Sequence, residues 1–151
     1  MDKFQNVDAI LDFAIHNEQE AVNFYSKLSQ NSKNEEMKNV FQEFAQEEVK
    51  HKARLQKIKD DGVFVFSQEV VMDLKISDYT TPDIVSPDMS YQEILIVAMN
   101  REKAAFKLYT KLSSKTDDSN LKSLFLDLAQ EESKHKLRFE LEYDEYVLRE
   151  N

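Results

Sequence analysis

The sequence predicts an all-α protein, a four-helix bundle made of two duplicated helical hairpins joined by a long crossover. Three observations predict it. The composition pairs 41% hydrophobic with 32% charged residues and includes one Gly and two Pro, which suits long amphipathic helices and little else. Apolar residues recur at three- and four-residue spacing along four stretches, the period of a helix with one buried face. Finally, residues 7–61 align with residues 91–145 without a gap and match at roughly 20 positions, a long-period self-similarity. The clearest repeat is "AQEEVKHK", which begins at Ala45 and returns as "AQEESKHK" at Ala129.

Each repeat reads as two helices. The first helix should begin at Asn6, whose side chain can cap the first turn, and the third at Ser90, where "SYQE" forms a capping box with Glu93. The second starts near "SKNE", read as a capping box from Ser32 to Glu35, and the fourth near "DDSN", with Asp117 or Asp118 as cap. The second helix stops at "DDG", where Gly62, the only glycine, can take the left-handed conformation that ends a helix. Residues from about 62 to 89 form the crossover, which holds both prolines and the apolar clusters "VFVF" and "VVM". Helices of about 25 residues run about 37 Å, a length that a connection of this size can span. The expected organisation is therefore a single domain over 1–151, with two hairpins in pseudo-twofold relation.

Composition narrows the function classes. A net charge of −9 and a pI near 4.9 would repel phosphate backbones and anionic lipid, so no nucleic-acid partner and no membrane partner is expected. No apolar run approaches a membrane span, and "MDKFQNVDAI" lacks the apolar core of a signal peptide, which reads as cytoplasmic. Zero cysteines exclude thiol catalysis, zinc-ribbon sites and iron–sulfur ligation in this chain. Any metal must use Glu, Asp or His.

The apolar seams carry such groups. The first helix presents Leu11, Ala14, Glu18, Ala21, Tyr25 and Leu28, and the second Met37, Phe41, Phe44, Glu48, His51, Leu55 and Ile58. The third gives Leu95, Ala98, Glu102, Ala105, Tyr109 and Leu112, and the fourth Leu121, Phe125, Leu128, Glu132, His135 and Phe139. Four carboxylates and two imidazoles thus point toward one interior, and no Lys or Arg stands on the seams to compensate them. Unpaired carboxylates in an apolar core are heavily disfavoured and repel one another. Two multivalent cations would supply the missing charge, and Glu and His three residues apart lie on adjacent turns of one helix face. The doubled phrase reads as two half-sites.

At these residues the chain resembles the rubrerythrin branch of the ferritin-like superfamily. "EQEAVNFY" and "REKAAFKLY" look like its E-x-x-A-x-x-x-Y helices, and "EEVKH" and "EESKH" like its E-x-x-H helices. A Glu from each of two helices plus Glu-x-x-His from each of the other two is the ferritin-like di-metal pattern. The resemblance implies a non-haem di-iron centre, two iron ions held by Glu18, Glu48, Glu102 and Glu132 as carboxylate ligands, two of them bridging, and by His51 and His135 as one imidazole per metal. Mn or Zn also suits such ligands. It further implies an oxidoreductase that reduces hydrogen peroxide, active in oxidative stress, with electrons from an external donor such as a rubredoxin-type protein, since no Cys₄ domain is present. Where rubrerythrins carry an additional Glu one turn after the third-helix ligand, this chain has Ala105, leaving a symmetric set closer to that of bacterioferritin.

Two alternatives stand beside the peroxidase. One is a ferroxidase or iron-binding ferritin-like protein acting with dioxygen; the other is a non-catalytic metal-binding or sensing bundle. Tyr25 and Tyr109 are read as core residues with a hydrogen bond to a ligand, Glu47 and Glu131 as solvated, His16 as a surface histidine, and Arg54 and Arg138 as surface side chains pairing with Glu. No catalytic residue beyond the metal ligands is assigned. The apolar crossover suggests a homodimer.

Overall fold

The structure, a computed structural model, describes residues 6–62, 74–81 and 88–150. They form helices α1 (Val7–Asn31), α2 (Glu35–Asp61), α3 (Tyr91–Lys115) and α4 (Ser119–Glu150), with a 3₁₀ turn at Ile76–Asp78. α1 packs on α2 and α3 on α4. The chain divides into two compact units, one built on each hairpin, the second including Leu74 onward.

In the first hairpin, Asn6 caps α1 as expected, its side-chain oxygen accepting from the Ala9 N–H at 2.8 Å. The cap of α2 differs from the expected Ser32–Glu35 box. Ser32 ends α1 in an extended conformation, and Asn34 instead accepts from the Met37 N–H at 3.2 Å. The Ser32 hydroxyl donates to the Asn34 carbonyl at 3.1 Å, so the three-residue break leaves Asn34 as the residue adjoining the first turn. Gly62 closes α2 at φ 64°, its N–H shared between the Ile58 and Lys59 carbonyls at 3.2 Å each. The α2 seam is buried throughout; on α1, Leu28 is half-buried and the neighbouring Ser29 is buried in its place. Tyr25 is fully buried and stacks on Phe41 at 6.5 Å between ring centres, with Phe44 edge-on at 6.1 Å. Such ring pairs add about 0.5–1.5 kcal/mol to the area they bury.

In the second hairpin, Ser90 and Glu93 form the expected capping box: the Ser90 hydroxyl accepts from the Glu93 N–H at 3.1 Å, and the Ser90 N–H donates to the Glu93 carboxylate at 3.4 Å. Asp118, not Asp117, caps α4, accepting from the Asn120 and Leu121 N–H groups at 2.9 and 3.1 Å. Asn34 and Asp118 hold the same place in the repeat, so both caps of each hairpin are duplicated. Tyr109 stacks on Phe125 at 6.4 Å, as Tyr25 does on Phe41. α4 runs 32 residues, beyond the expected 25 or so. Of the crossover, Leu74 and Tyr79 are buried, and the Lys107 ammonium lies 5.9 Å from the Tyr79 ring centre. "VFVF", "VVM" and both prolines lie outside the described residues.

The long α4 supports a polar cluster absent from the first hairpin. Tyr91 donates to the buried Glu142 carboxylate at 3.2 Å. Arg149 also donates to it at 3.3 Å, and Arg138 lies 3.7 Å from its other oxygen. The Tyr91 ring meets Tyr146 edge-on at 5.1 Å. At the corresponding repeat positions stand Val7 and Ile58. Burial, then the nearby Glu142 charge, pushes the Tyr91 phenol well above the usual tyrosine range; burial also raises Tyr79.

Three outcomes are expected. Asp118→Ala should lower unfolding stability by about 1 kcal/mol in urea titrations. Glu142→Ala should cost about 1–3 kcal/mol, because it strips the acceptor from the half-buried Tyr91 phenol. A phenol with a raised folded-state pKa contributes stability that is present at neutral pH and is lost as pH rises above about 10, where the unfolded chain begins to ionise. Thermal midpoints should therefore fall in alkali, and Tyr91→Phe should flatten that fall, leaving the part due to Tyr79.

Candidate metal centre

Each hairpin carries its own three-donor cluster, and the same local logic builds both. On α2, Glu48 and His51 stand three residues apart, so their side chains reach the same side from successive turns. Glu18, midway along α1, meets them. His51 Nδ1 lies 3.0 Å from Glu48 Oε1 and 3.6 Å from Glu18 Oε2. In the second hairpin His135 Nδ1 lies 3.5 Å from Glu102 Oε1 and 4.0 Å from Glu132 Oε1. All six residues are at most 2% exposed. Within each hairpin the three ligand atoms lie inside 4.8 Å of one another. The structure thus brings the six sequence-predicted residues together as two triads, three per hairpin.

The two triads are equivalent by sequence but not identical in geometry. In the first, the imidazole sits closer to the carboxylate of its own helix; in the second, it is nearer the carboxylate of the facing helix. Leu11, Ala14, Phe41 and Leu55 are buried on the same two helices as the first triad, as are Leu95, Ala98, Phe125 and Phe139 on those of the second. Neither environment resembles a solvated acidic surface. Carboxylate oxygen with imidazole nitrogen, converging in a buried and largely apolar setting, is a donor set that suits divalent first-row metals, so the residues fit the ions the sequence implies.

The remaining expectations divide. His16 is a surface histidine, 3.7 Å from Glu20. Arg138 pairs with Glu142 as described, and Arg54 is half-buried. Glu47 and Glu131 are half-buried rather than solvated, because a position one residue off the seam still lies at the edge of the hairpin interface. Ala105 is half-buried. The residue that sequence reasoning missed is Glu142. Its signal was available: it lies three residues beyond Phe139 and so continues the α4 seam, where the first repeat has Ile58.

The fold and donor sets define a class of protein, the ferritin-like carboxylate bundles. A Thermotoga maritima structure described as a ferritin-like diiron-carboxylate protein superposes with a TM-score of 0.75 at 23% identity, covering 97% of this chain and 99% of that one. A family model named Rubrerythrin matches residues 9–143, and the chain belongs to that family. Among curated proteins, none matches. No helix among the described residues is long and apolar enough to cross a membrane.

Buried carboxylates of like charge within each triad cost desolvation and repel one another, which should destabilise the metal-free chain. Glu18→Leu and Glu102→Leu are each expected to raise its unfolding free energy by about 1–4 kcal/mol, as measured by urea denaturation in chelator, while abolishing metal retention by the altered hairpin. Unchanged or lower stability in both variants would show that the carboxylates are compensated without metal.

Proposed function

We propose that the protein is a non-haem di-iron oxidoreductase that reduces hydrogen peroxide with electrons from a separate donor protein, such as a rubredoxin-type carrier. The observation that carries this reading is the duplicated buried triad, Glu18, Glu48 and His51 in one hairpin and Glu102, Glu132 and His135 in the other, in a member of the rubrerythrin family. Each triad would hold one half of the centre. Four carboxylates carry four negative charges, which two divalent ions neutralise, while the imidazoles supply one neutral donor per metal.

When bound, a pair of ferrous ions would supply the two electrons that, with two protons from solvent, reduce hydrogen peroxide to two waters. The chain's own residues do the remaining work. Glu-x-x-His spacing on one helix and a Glu on its neighbour fix each donor on a rigid element. The Tyr25–Phe41 and Tyr109–Phe125 stacks restrict movement of the turns beyond Glu18 and Glu102. The leucine, alanine and phenylalanine residues around each triad keep bulk water out, which strengthens every charge interaction inside.

A second reading has one specific observation in its favour. Ala105 occupies the position of the additional carboxylate expected of a rubrerythrin, and the resulting symmetric donor set suits a ferroxidase that oxidises iron with dioxygen. Measuring both oxidants separates the two.

Purified without added metal, then loaded anaerobically with ferrous iron, the chain should bind two irons and be oxidised by stoichiometric hydrogen peroxide much faster than by dioxygen in stopped-flow absorbance. His51→Ala together with His135→Ala should lose that response. Faster oxidation by dioxygen would favour the ferroxidase; retention of zinc or manganese that iron cannot replace would overturn both redox readings.

A further inference from the structure

One end of the second hairpin is built from tyrosines that the first hairpin lacks. Tyr91, Tyr143 and Tyr146, three of the six tyrosines in the chain, are half-buried there. Val7, Lys59 and Gly62 hold the corresponding places in the first repeat, so a helix pair closes without them. Tyr91 differs from Tyr143 in its partner. Its phenol donates to Glu142 at 3.2 Å, a carboxylate that is buried and belongs to neither triad. Tyr143 accepts from the Gln92 carboxamide at 2.9 Å, a group with no basic site for a phenol proton. Arg149 and Arg138 fix Glu142 from its own helix, at 3.3 and 3.7 Å.

A phenol gives up an electron readily only when its proton can leave at the same time. Burial and the Glu142 charge keep Tyr91 protonated, and the hydrogen bond offers that proton an acceptor within transfer reach. Tyr91 and Glu142 also stand on the two helices that carry the second triad. Tyr91 is 11 residues before Glu102 and Glu142 seven after His135, roughly 16 and 10 Å along the helix axes. Leu95, Ala98 and Phe139 are buried between them and the triad. Tyr25 and Tyr109 are nearer the triads but at most 1% exposed, out of reach of a reductant in solution. The Tyr91 ring keeps an exposed edge.

We propose that Tyr91, with Glu142 as its proton acceptor, supplies the second electron to peroxide when the centre holds a single ferrous ion. The inference rests on the peroxide-reducing reading of the centre. A centre assembled from two half-sites passes through a state with one ion, and that ion gives one electron where peroxide needs two. The phenol closes the balance. The ferrous ion becomes ferric, the Tyr91 O–H bond breaks, its electron goes to the centre and its proton to Glu142. With two protons from solvent, the O–O bond is then cleaved to two waters. The phenoxyl left on Tyr91 takes an electron from a small reductant of the thiol or ascorbate class and recovers its proton from Glu142. Tyr91 thereby keeps a half-loaded centre from leaving a one-electron oxidant among its own ligands.

The test uses the full-length chain in two states, with circular dichroism to verify that each variant folds. First, the chain loaded anaerobically with one ferrous ion is mixed with one equivalent of hydrogen peroxide, freeze-quenched and read by electron paramagnetic resonance. A tyrosyl radical is expected in the wild type; it should be lost in Tyr91→Phe and survive in Tyr109→Phe and Tyr146→Phe. Second, the zinc-loaded chain is oxidised by a photogenerated ruthenium(III) tris-bipyridine complex. The phenoxyl absorbance that Tyr91→Phe removes should appear about 10-fold or more slowly in Glu142→Gln, which still accepts the hydrogen bond but cannot take the proton. A radical unchanged in Tyr91→Phe, or none while peroxide is consumed, would overturn the proposal. So would iron that loads only in pairs, or a photo-oxidation rate indifferent to Glu142→Gln. Failure of the two-iron chain to react with peroxide would remove this inference together with the reading it rests on, and a normal photo-oxidation result would trace that failure to the centre.

Discussion

Everything in this chain is arranged around the cost of burying six ionisable groups in helices that otherwise present leucine, alanine and phenylalanine. A carboxylate taken from water into such surroundings loses hydration worth several kcal/mol. Four such groups, with two imidazoles beside them, are tolerable only when the helices that carry them are held by other means. The stacked Tyr25–Phe41 and Tyr109–Phe125 pairs, the double side-chain and backbone caps, and the long buried seams supply that hold. The scaffold is therefore stable in spite of its centre, and the centre's affinity for cations is the counterpart of that strain.

Much of this is legible in the sequence because helical hairpins are local structures. The period of Met37, Phe41, Phe44, Glu48 and His51 alone places the triad on one face of α2, and the Glu-x-x-His spacing requires no knowledge of the rest of the chain. Caps were legible where a single candidate adjoined the first turn, as at Asn6 and Ser90. At "NSKNEE" several polar residues could cap, and Asn34 prevailed over Ser32 because the end of α1 claimed Ser32 first. Steric competition between adjacent helix ends decides such cases, and composition does not record it.

Glu142 was less legible for a different reason. Its position continues the α4 seam three residues beyond Phe139, but a Glu in a Glu-rich helix does not by itself show what compensates it there. Its environment depends on Tyr91, 51 residues away, and on Arg149 beyond the repeat. Glu47 and Glu131 show the converse, since helical angle alone assigns them to solvent while the neighbouring helix half-covers them. Periodicity gives the direction of a side chain; the breadth of the partner's shadow comes only from packing.

The cluster at Tyr91 and Glu142 also bears on how a duplicated chain avoids pairing its helices wrongly. Helices as alike as α2 and α4 invite exchange of partners during folding, a characteristic hazard of repeated sequences. If α3 were to pair with α2, the Tyr91 phenol would meet Ile58 in place of Glu142, and Glu142 would meet Val7. The half-buried phenol would lose its acceptor, and the buried Glu142 would keep only Arg138 and Arg149 of its own helix. The divergence of one pair of positions thus acts as a key that only the correct hairpin fits, and it does so at a distance from the metal ligands, where the two halves must remain the same.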